Sequence, residues 1–136
     1  MRHIVMVYPD FMQPVLSRFV DEAPKVIDCG EGWWRLIAAC DIQLAKIDPE
    51  YTIFQIKEKF GGLRFYFSPS NPDNYASMNK VVGEFERICW MTCEVTGRHG
   101  YLMSNAPNNM GRRRVLNEDY LHQGWTRIDL DKNNNS

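Results

Sequence analysis

Between Lys57 and Phe67 the chain reads KEKFGGLRFYF, and Lys57, Lys59, Arg64 and Tyr66 within it are suited to gripping an anionic partner. Cationic side chains hold phosphates while an aromatic ring among them stacks on a base, the combination that single-stranded nucleic-acid binders use. The plainer alternative is a solvated sheet face whose charges keep edges from aggregating. A second cationic run, Gly111-Arg112-Arg113-Arg114, is backed by Arg98, His99, His122 and Arg127. It either receives an anionic groove or forms an ordinary surface network with Glu94, Glu118 and Asp119. Cys89 and Cys93, spaced C-x-x-x-C, are soft enough for zinc, but a structural site needs a second ligand pair and His99 and His122 each stand alone. Gln55-Ile56-Lys57, preceded by Asp48 and Glu50, is loosely similar to the acidic-x-Lys strand of metal-dependent nucleases, with glutamine where magnesium requires a carboxylate. No G-x-S-x-G, Walker loop or H-E-x-x-H occurs. The expected partner-binding residues are therefore Lys57, Lys59, Arg64, Tyr66, Arg112, Arg113 and Arg114, with no catalytic set, no metal ligands and no cofactor.

The chain around these residues has 136 positions, 44% of them hydrophobic and 12% aromatic, enough apolar side chains for the core of one domain. That domain is expected over residues 1–130, with the polar DKNNNS of residues 131–136 as a disordered tail. Charge is balanced, 16 Lys and Arg against 17 Asp and Glu, so no global field draws the chain to nucleic acid or to an acidic membrane. No apolar run approaches the roughly 18 residues of a membrane span, and the N-terminal apolar run is too brief for a signal peptide. The expectation is a cytoplasmic protein with no membrane partner. Its four cysteines, Cys29, Cys40, Cys89 and Cys93, then read as reduced thiols.

The elements that must position these residues follow from periodicity. Val15, Leu16, Phe19 and Val20 predict a short helix over residues 11–23, with Pro14 in its first turn. After a glycine-bearing turn at residues 28–32, Trp33, Leu36, Ile37, Cys40, Leu44 and Ile47 repeat at three and four, and Asp48-Pro49 stops that helix. Residues 51–60 and 63–68 alternate as a hairpin would. A turn at Gly61-Gly62 sets Glu58 opposite Phe65, whereas a turn at Phe60-Gly61 sets Ile56 opposite Phe65 and Glu58 opposite Leu63. Either register sorts Phe54, Ile56, Leu63, Phe65 and Phe67 to a core face and Gln55, Lys57, Lys59, Arg64 and Tyr66 to the other. Glu58 lies on the apolar side and needs a partner or a place near the sheet's end. Met78, Val81, Val82, Phe85, Ile88 and Cys89 predict a second long helix over residues 75–91. Cys93 to Gly97 reads as a tight turn, and residues 98–127 as an irregular lobe with short strands at 113–116 and 125–130. The fold class expected is α+β, two main helices on a β-hairpin or small antiparallel sheet.

Three strings, Cys29-Gly30-Glu31-Gly32-Trp33, residues 55–66 (QIKEKFGGLRFY) and Cys93-Glu94-Val95-Thr96-Gly97, resemble in order and spacing an uncharacterised family of small tailed-phage and prophage proteins. Tyr8-Pro9-Asp10-Phe11 resembles the tyrosine-proline motif near that family's N-terminus. The likeness covers residues 8–97, and the family carries a C-x-x-C-G zinc knuckle completed by a later L-C-x-x-H or L-C-x-x-C. Here Cys93 is retained, Thr96 stands at the second cysteine and Leu116-Asn117-Glu118-Asp119-Tyr120 occupies the later pair, so the knuckle is degenerate. One thiolate does not hold structural zinc, which leaves hydrogen bonds and the burial of Tyr101, Leu102, Val115, Leu116 and Trp125 to hold this end.

The resemblance and the missing catalytic set together imply a non-enzymatic phage or prophage accessory protein that binds, and by binding inhibits, a host macromolecule such as a defence-system protein. Nucleic-acid binding through the same basic aromatic face is the alternative, and a metal-dependent nuclease-like enzyme the second.

Overall fold

Phe60 and Gly61 both have positive φ, 54° and 94°, as a two-residue type I′ hairpin turn demands. The computed structural model, which describes residues 7–106 and 111–128, thus adopts the Phe60-Gly61 register. Strands β2 (Thr52–Lys59) and β3 (Gly62–Ser68) pair antiparallel, with Ile56 opposite Phe65, Lys57 opposite Arg64 and Glu58 opposite Leu63. Glycine at position 62 answers to packing: a Cβ there would lie 2.8 Å from Cη2 of Trp90.

One side chain departs from the predicted faces. The register slips between Ile53 and Gln55, a β-bulge that buries Ile53 and turns Phe54 outward, where it is 48% exposed. Ile56, Leu63 and Phe65 are buried as expected, and Phe67 packs half-buried against the same core. A third strand, β1 (Ile27–Asp28), adds parallel to β2, with Ile27 beside Ile56 and Asp28 beside Lys57.

Helix α1 (Gln13–Ser17) is shorter than the 11–23 segment predicted and follows a 3-10 turn at Asp10–Met12. It ends because the next residues pair with the start of β2: Val20 N donates to Ile53 O at 3.0 Å and Ile53 N to Arg18 O at 2.8 Å. A ladder bond satisfies those backbone groups in place of further helical turns. Helices α2 (Trp34–Ile47) and α3 (Tyr75–Cys89) match their predicted spans closely. Ile37, Cys40 and Leu44 from α2 join Met78, Val82, Phe85 and Cys89 from α3 and the inner face of the sheet in one core. On the free edge of β3, Phe65 N–H donates to Glu86 Oε2 of α3 at 3.3 Å.

Residues 98–127 hold a second sheet where an irregular lobe was predicted. Strands β4 (Tyr101–Ser104), β5 (Arg113–Leu116) and β6 (Thr126–Arg127) run antiparallel in the order β5-β4-β6. β5 matches the expected strand at 113–116, and β6 begins the one expected at 125–130, whose last residues, with the 131–136 tail, lie outside the described residues. Val115 is buried in the main core, while Leu116 joins Cys93 and Met103 in a smaller one; Tyr101, Leu102 and Trp125 are half-buried. The fold is α+β, helices packed on small sheets. No helix among the described residues is long and apolar enough to cross a membrane.

Candidate functional site

Among the described residues three carboxylates are buried, and each is occupied in holding the chain together. Asp41, on the inner face of α2, receives Arg18 Nε at 3.2 Å and the Tyr51 hydroxyl, and the Arg18 guanidinium lies 5.1 Å over the Tyr51 ring. Burial, then the hydrogen bond to Asp41, pushes the Tyr51 phenol well above its ordinary range. Asp48, at the end of α2, accepts from Ser70 N at 2.8 Å, Ser70 Oγ at 2.5 Å and Asn74 Nδ2 at 3.2 Å. The Ser70 hydroxyl, with Asn74 and the loop amides, holds its carboxyl down at about 2. Both oxygens of Asp48, one of the two acids that precede the Gln55-Ile56-Lys57 strand, are thus engaged by the segment before α3. Glu94 accepts from Gly30 N at 2.8 Å and from Arg114 Nε at 3.1 Å. Among the described residues no three His, Cys, Asp or Glu gather in a group that could hold a metal ion.

The C-G-E-G-W and C-E-V-T-G strings pack on one another. Gly32 N donates to Glu94 O at 2.8 Å, and the buried indole of Trp33 donates to Thr92 O at 2.8 Å. A Cβ at Gly32 would overlap the Cys93 carbonyl oxygen and lie 2.6 Å from both Glu94 O and Gly97 N. The glycines are there so that two loops can touch backbone to backbone. Within the second loop Thr96 N–H donates to Cys93 Sγ at 3.4 Å and Gly97 N to Cys93 O at 2.9 Å, with Gly97 at φ 79°. Burial by itself pushes the Cys93 thiol up, but hydrogen bonds from Thr96, Asn117 and Val95 outweigh it and leave the thiol below its ordinary range. Tyr120 packs in the same small cluster as Cys93. Of the positions that the resemblance aligns with four zinc ligands, 96 and 117 therefore hydrogen-bond the Cys93 thiol, and 120 packs in its cluster. The four cysteines are free, with Cys40, Cys89 and Cys93 buried and Cys29 half-buried; burial pushes the Cys89 thiol up to about 12.

The seven residues expected to bind a partner fall into separate places. Lys57 and Arg64 are direct cross-strand neighbours on the outer face of the first sheet, with Gln55 and Tyr66 paired beside them. Phe54, turned outward by the bulge, lines with Tyr66 and Val26 a groove of about 470 Å³ on that face. Lys59 sits at the end of β2, its ammonium 5.7 Å from the Phe60 ring. Arg114 is bound to buried Glu94. Arg112 and Arg114 line a cavity with Glu58, which explains the carboxylate on the apolar side: it sits next to last in β2, where the core gives way to arginines. Arg113 points elsewhere, into a hollow with Trp90, Met91, Leu102 and Arg127. The arginine run is thus divided: Arg112 and Arg114 line a cavity that shares Val26 and Asp28 with the groove of Phe54 and Tyr66, and Arg113 lies apart from them.

Phe54 and Val26 were missed as surface residues. The sign of the bulge is legible in hindsight: Tyr51, Ile53 and Ile56 are the buried residues, and the step of three between the last two breaks a period of two. A cavity of about 910 Å³ lies between residues 7–11, the start of α2 and the Cys93 loop, with the Tyr8 and Trp34 rings 5.1 Å apart and Arg35 4.6 Å over Phe11. No family model matches the chain, and no match is found among curated proteins or solved structures.

Proposed function

We propose that this chain is a non-enzymatic accessory protein, of the phage or prophage kind it resembles, that binds a host protein through the outer face of its β1–β2–β3 sheet and so inhibits it. A component of host defence is the class of target this reading favours. One observation carries it: the bulge at Phe54 sets two aromatic rings and Val26 beside Lys57 and Arg64 on an exposed face. Aromatic and arginine side chains dominate the energy of protein interfaces, because they bury large areas for few frozen rotors. Phe54 and Tyr66, 48% and 43% exposed and lining one groove, offer a partner apolar surface that is not scattered singly over the face. The buried ionisable groups support the same reading, since Asp41, Asp48 and Glu94 are taken up by internal hydrogen bonds.

A second reading, nucleic-acid binding, is favoured by Lys57 and Arg64 standing directly opposite each other, a like-charge pair with Asp28 beside Lys57 but, among the described residues, no carboxylate in the register position next to Arg64, where a phosphate would fit. Affinity capture from bacterial lysate, with and without nuclease treatment, separates the two. A protein captured equally in both supports the proposal. Loss of all captured material on nuclease treatment, or a steep fall in affinity with salt, supports nucleic acid.

A further inference from the structure

Beside the tip of the hairpin lies a hollow of about 690 Å³ that the internal structure leaves open. Its floor is apolar, made by Trp90, Leu102 and Met91, the last 55% exposed. Its charged rim is of one sign: Arg113 and Arg127 line it, and neither forms an ion pair with a described residue. No carboxylate is among the described residues that line it. The hairpin tip forms one wall, since Gly62 lies against the Trp90 ring and a Cβ on Gly61 would come within 2.7 Å of Leu102 Cδ1. At that tip Phe60 is 69% exposed and held at φ 54°, a backbone conformation unfavourable for an aromatic residue. An exposed ring kept in a strained turn points to use of that ring.

We infer that this hollow docks an acidic protein segment carrying a large apolar side chain. The apolar group enters between Trp90, Met91 and Leu102, Phe60 closes over it, and flanking carboxylates pair with Arg113 and Arg127. Guanidinium groups meet carboxylates through paired hydrogen bonds, which suits two arginines at the rim of an apolar site. A nucleic acid fits less well, because a base needs an open ring face and the rings that line the hollow are already in contact. The Arg127 guanidinium covers Tyr101 at 3.8 Å, His99 stands edge-on to the same ring at 4.8 Å, and Trp90 has Gly62 against its six-membered ring. The inference rests on the reading of the chain as a protein binder and names the chemistry of what it binds.

The test is selection of short random peptides on the immobilised full-length protein, followed by binding to Met91→Asp/Arg113→Glu and to Met91→Asp/Arg127→Glu. The second pair changes only exposed side chains, so it keeps the test valid if the first fails to fold. The expected peptides carry Asp or Glu flanking Phe, Leu, Ile or Trp, and both variants weaken them at least about tenfold while melting like wild type. Basic or charge-free peptides, equal binding to a folded variant, no selected peptide, or tighter binding of single-stranded oligothymidylate would each overturn the inference. A host protein captured equally by wild type and variants would remove the hollow and leave the proposed function standing. Failure of the wild type to capture any protein would remove both.

Discussion

Replacing Gly32 by alanine adds one methyl group where the two glycine-bearing loops touch. That methyl overlaps the Cys93 carbonyl oxygen and lies 2.6 Å from Glu94 O and Gly97 N, all backbone atoms. The Cys93 loop has little room to withdraw, because Glu94 N donates to Val115 O of β5 at 2.9 Å and Arg114 Nε donates to the Glu94 carboxylate at 3.1 Å. Overpacking of this kind costs about 2–3 kcal/mol. Separation also breaks the 2.8 Å bond from Gly32 N to Glu94 O, worth about 1 kcal/mol. The expected loss is about 3–4 kcal/mol, or about 10–15 °C in melting temperature for a chain of this length. Gly32 does not have a positive φ, so the loss measures packing and not backbone conformation. Gly83, inside α3 with nothing within 4 Å of an added Cβ, is the control. Gly83→Ala should stabilise by about 0.5–1 kcal/mol through helix propensity. Urea denaturation of both variants reads the two signs. A Gly32→Ala protein within about 1 kcal/mol of wild type would refute the backbone-to-backbone packing of the two loops.

Phe60→Asn relieves the strained turn and should raise stability by about 0.5–1 kcal/mol in the same assay, while weakening peptides selected on the neighbouring hollow. Asp48 has a carboxyl held below its unfolded value of about 4. Its contribution is fully present above that value and is lost as pH falls through about 2. The stability gap between wild type and Asp48→Asn, followed by denaturation, should therefore be constant from neutral pH to about 5 and close between about 4 and 2; a gap that widens on acidification would contradict the assignment. Thr96→Cys, Asn117→Cys and Tyr120→His, combined, surround Cys93 with the remaining ligand types of a zinc knuckle. The triple variant should bind one zinc per chain and melt higher with zinc than without, and a variant that binds none would refute the alignment of these positions.

Helices α2 and α3 were legible because each carries its apolar residues at intervals of three and four, a signal internal to the segment. The two faces of the hairpin were legible for the same reason, and the register turned only on whether Phe60 would accept a positive φ. Two features depended on partners far along the chain. α1 ends where Arg18 and Val20 meet Ile53, and β4 forms because Tyr101 to Ser104 find β5 on one side and β6 on the other. Neither pairing leaves a local trace in segments that short. Asp41 could have been noticed, since it shares the buried stripe of Ile37, Cys40 and Leu44, and a carboxylate there requires partners such as Arg18 and Tyr51. The grouping of the cations was not legible: the expected strand at 113–116 already alternates Arg113 with Arg114, but which cavity each one meets is set by Glu58, Trp90 and Glu94, far away along the chain.

The central claim is that the outer face of the first sheet binds a host protein. It is tested most directly by capture from nuclease-treated bacterial lysate with wild type and with Phe54→Ser/Lys57→Glu/Arg64→Glu, the stability of both checked by denaturation. The account predicts a protein retained by the wild type through nuclease treatment and lost from the folded variant. Equal retention by the variant would contradict it.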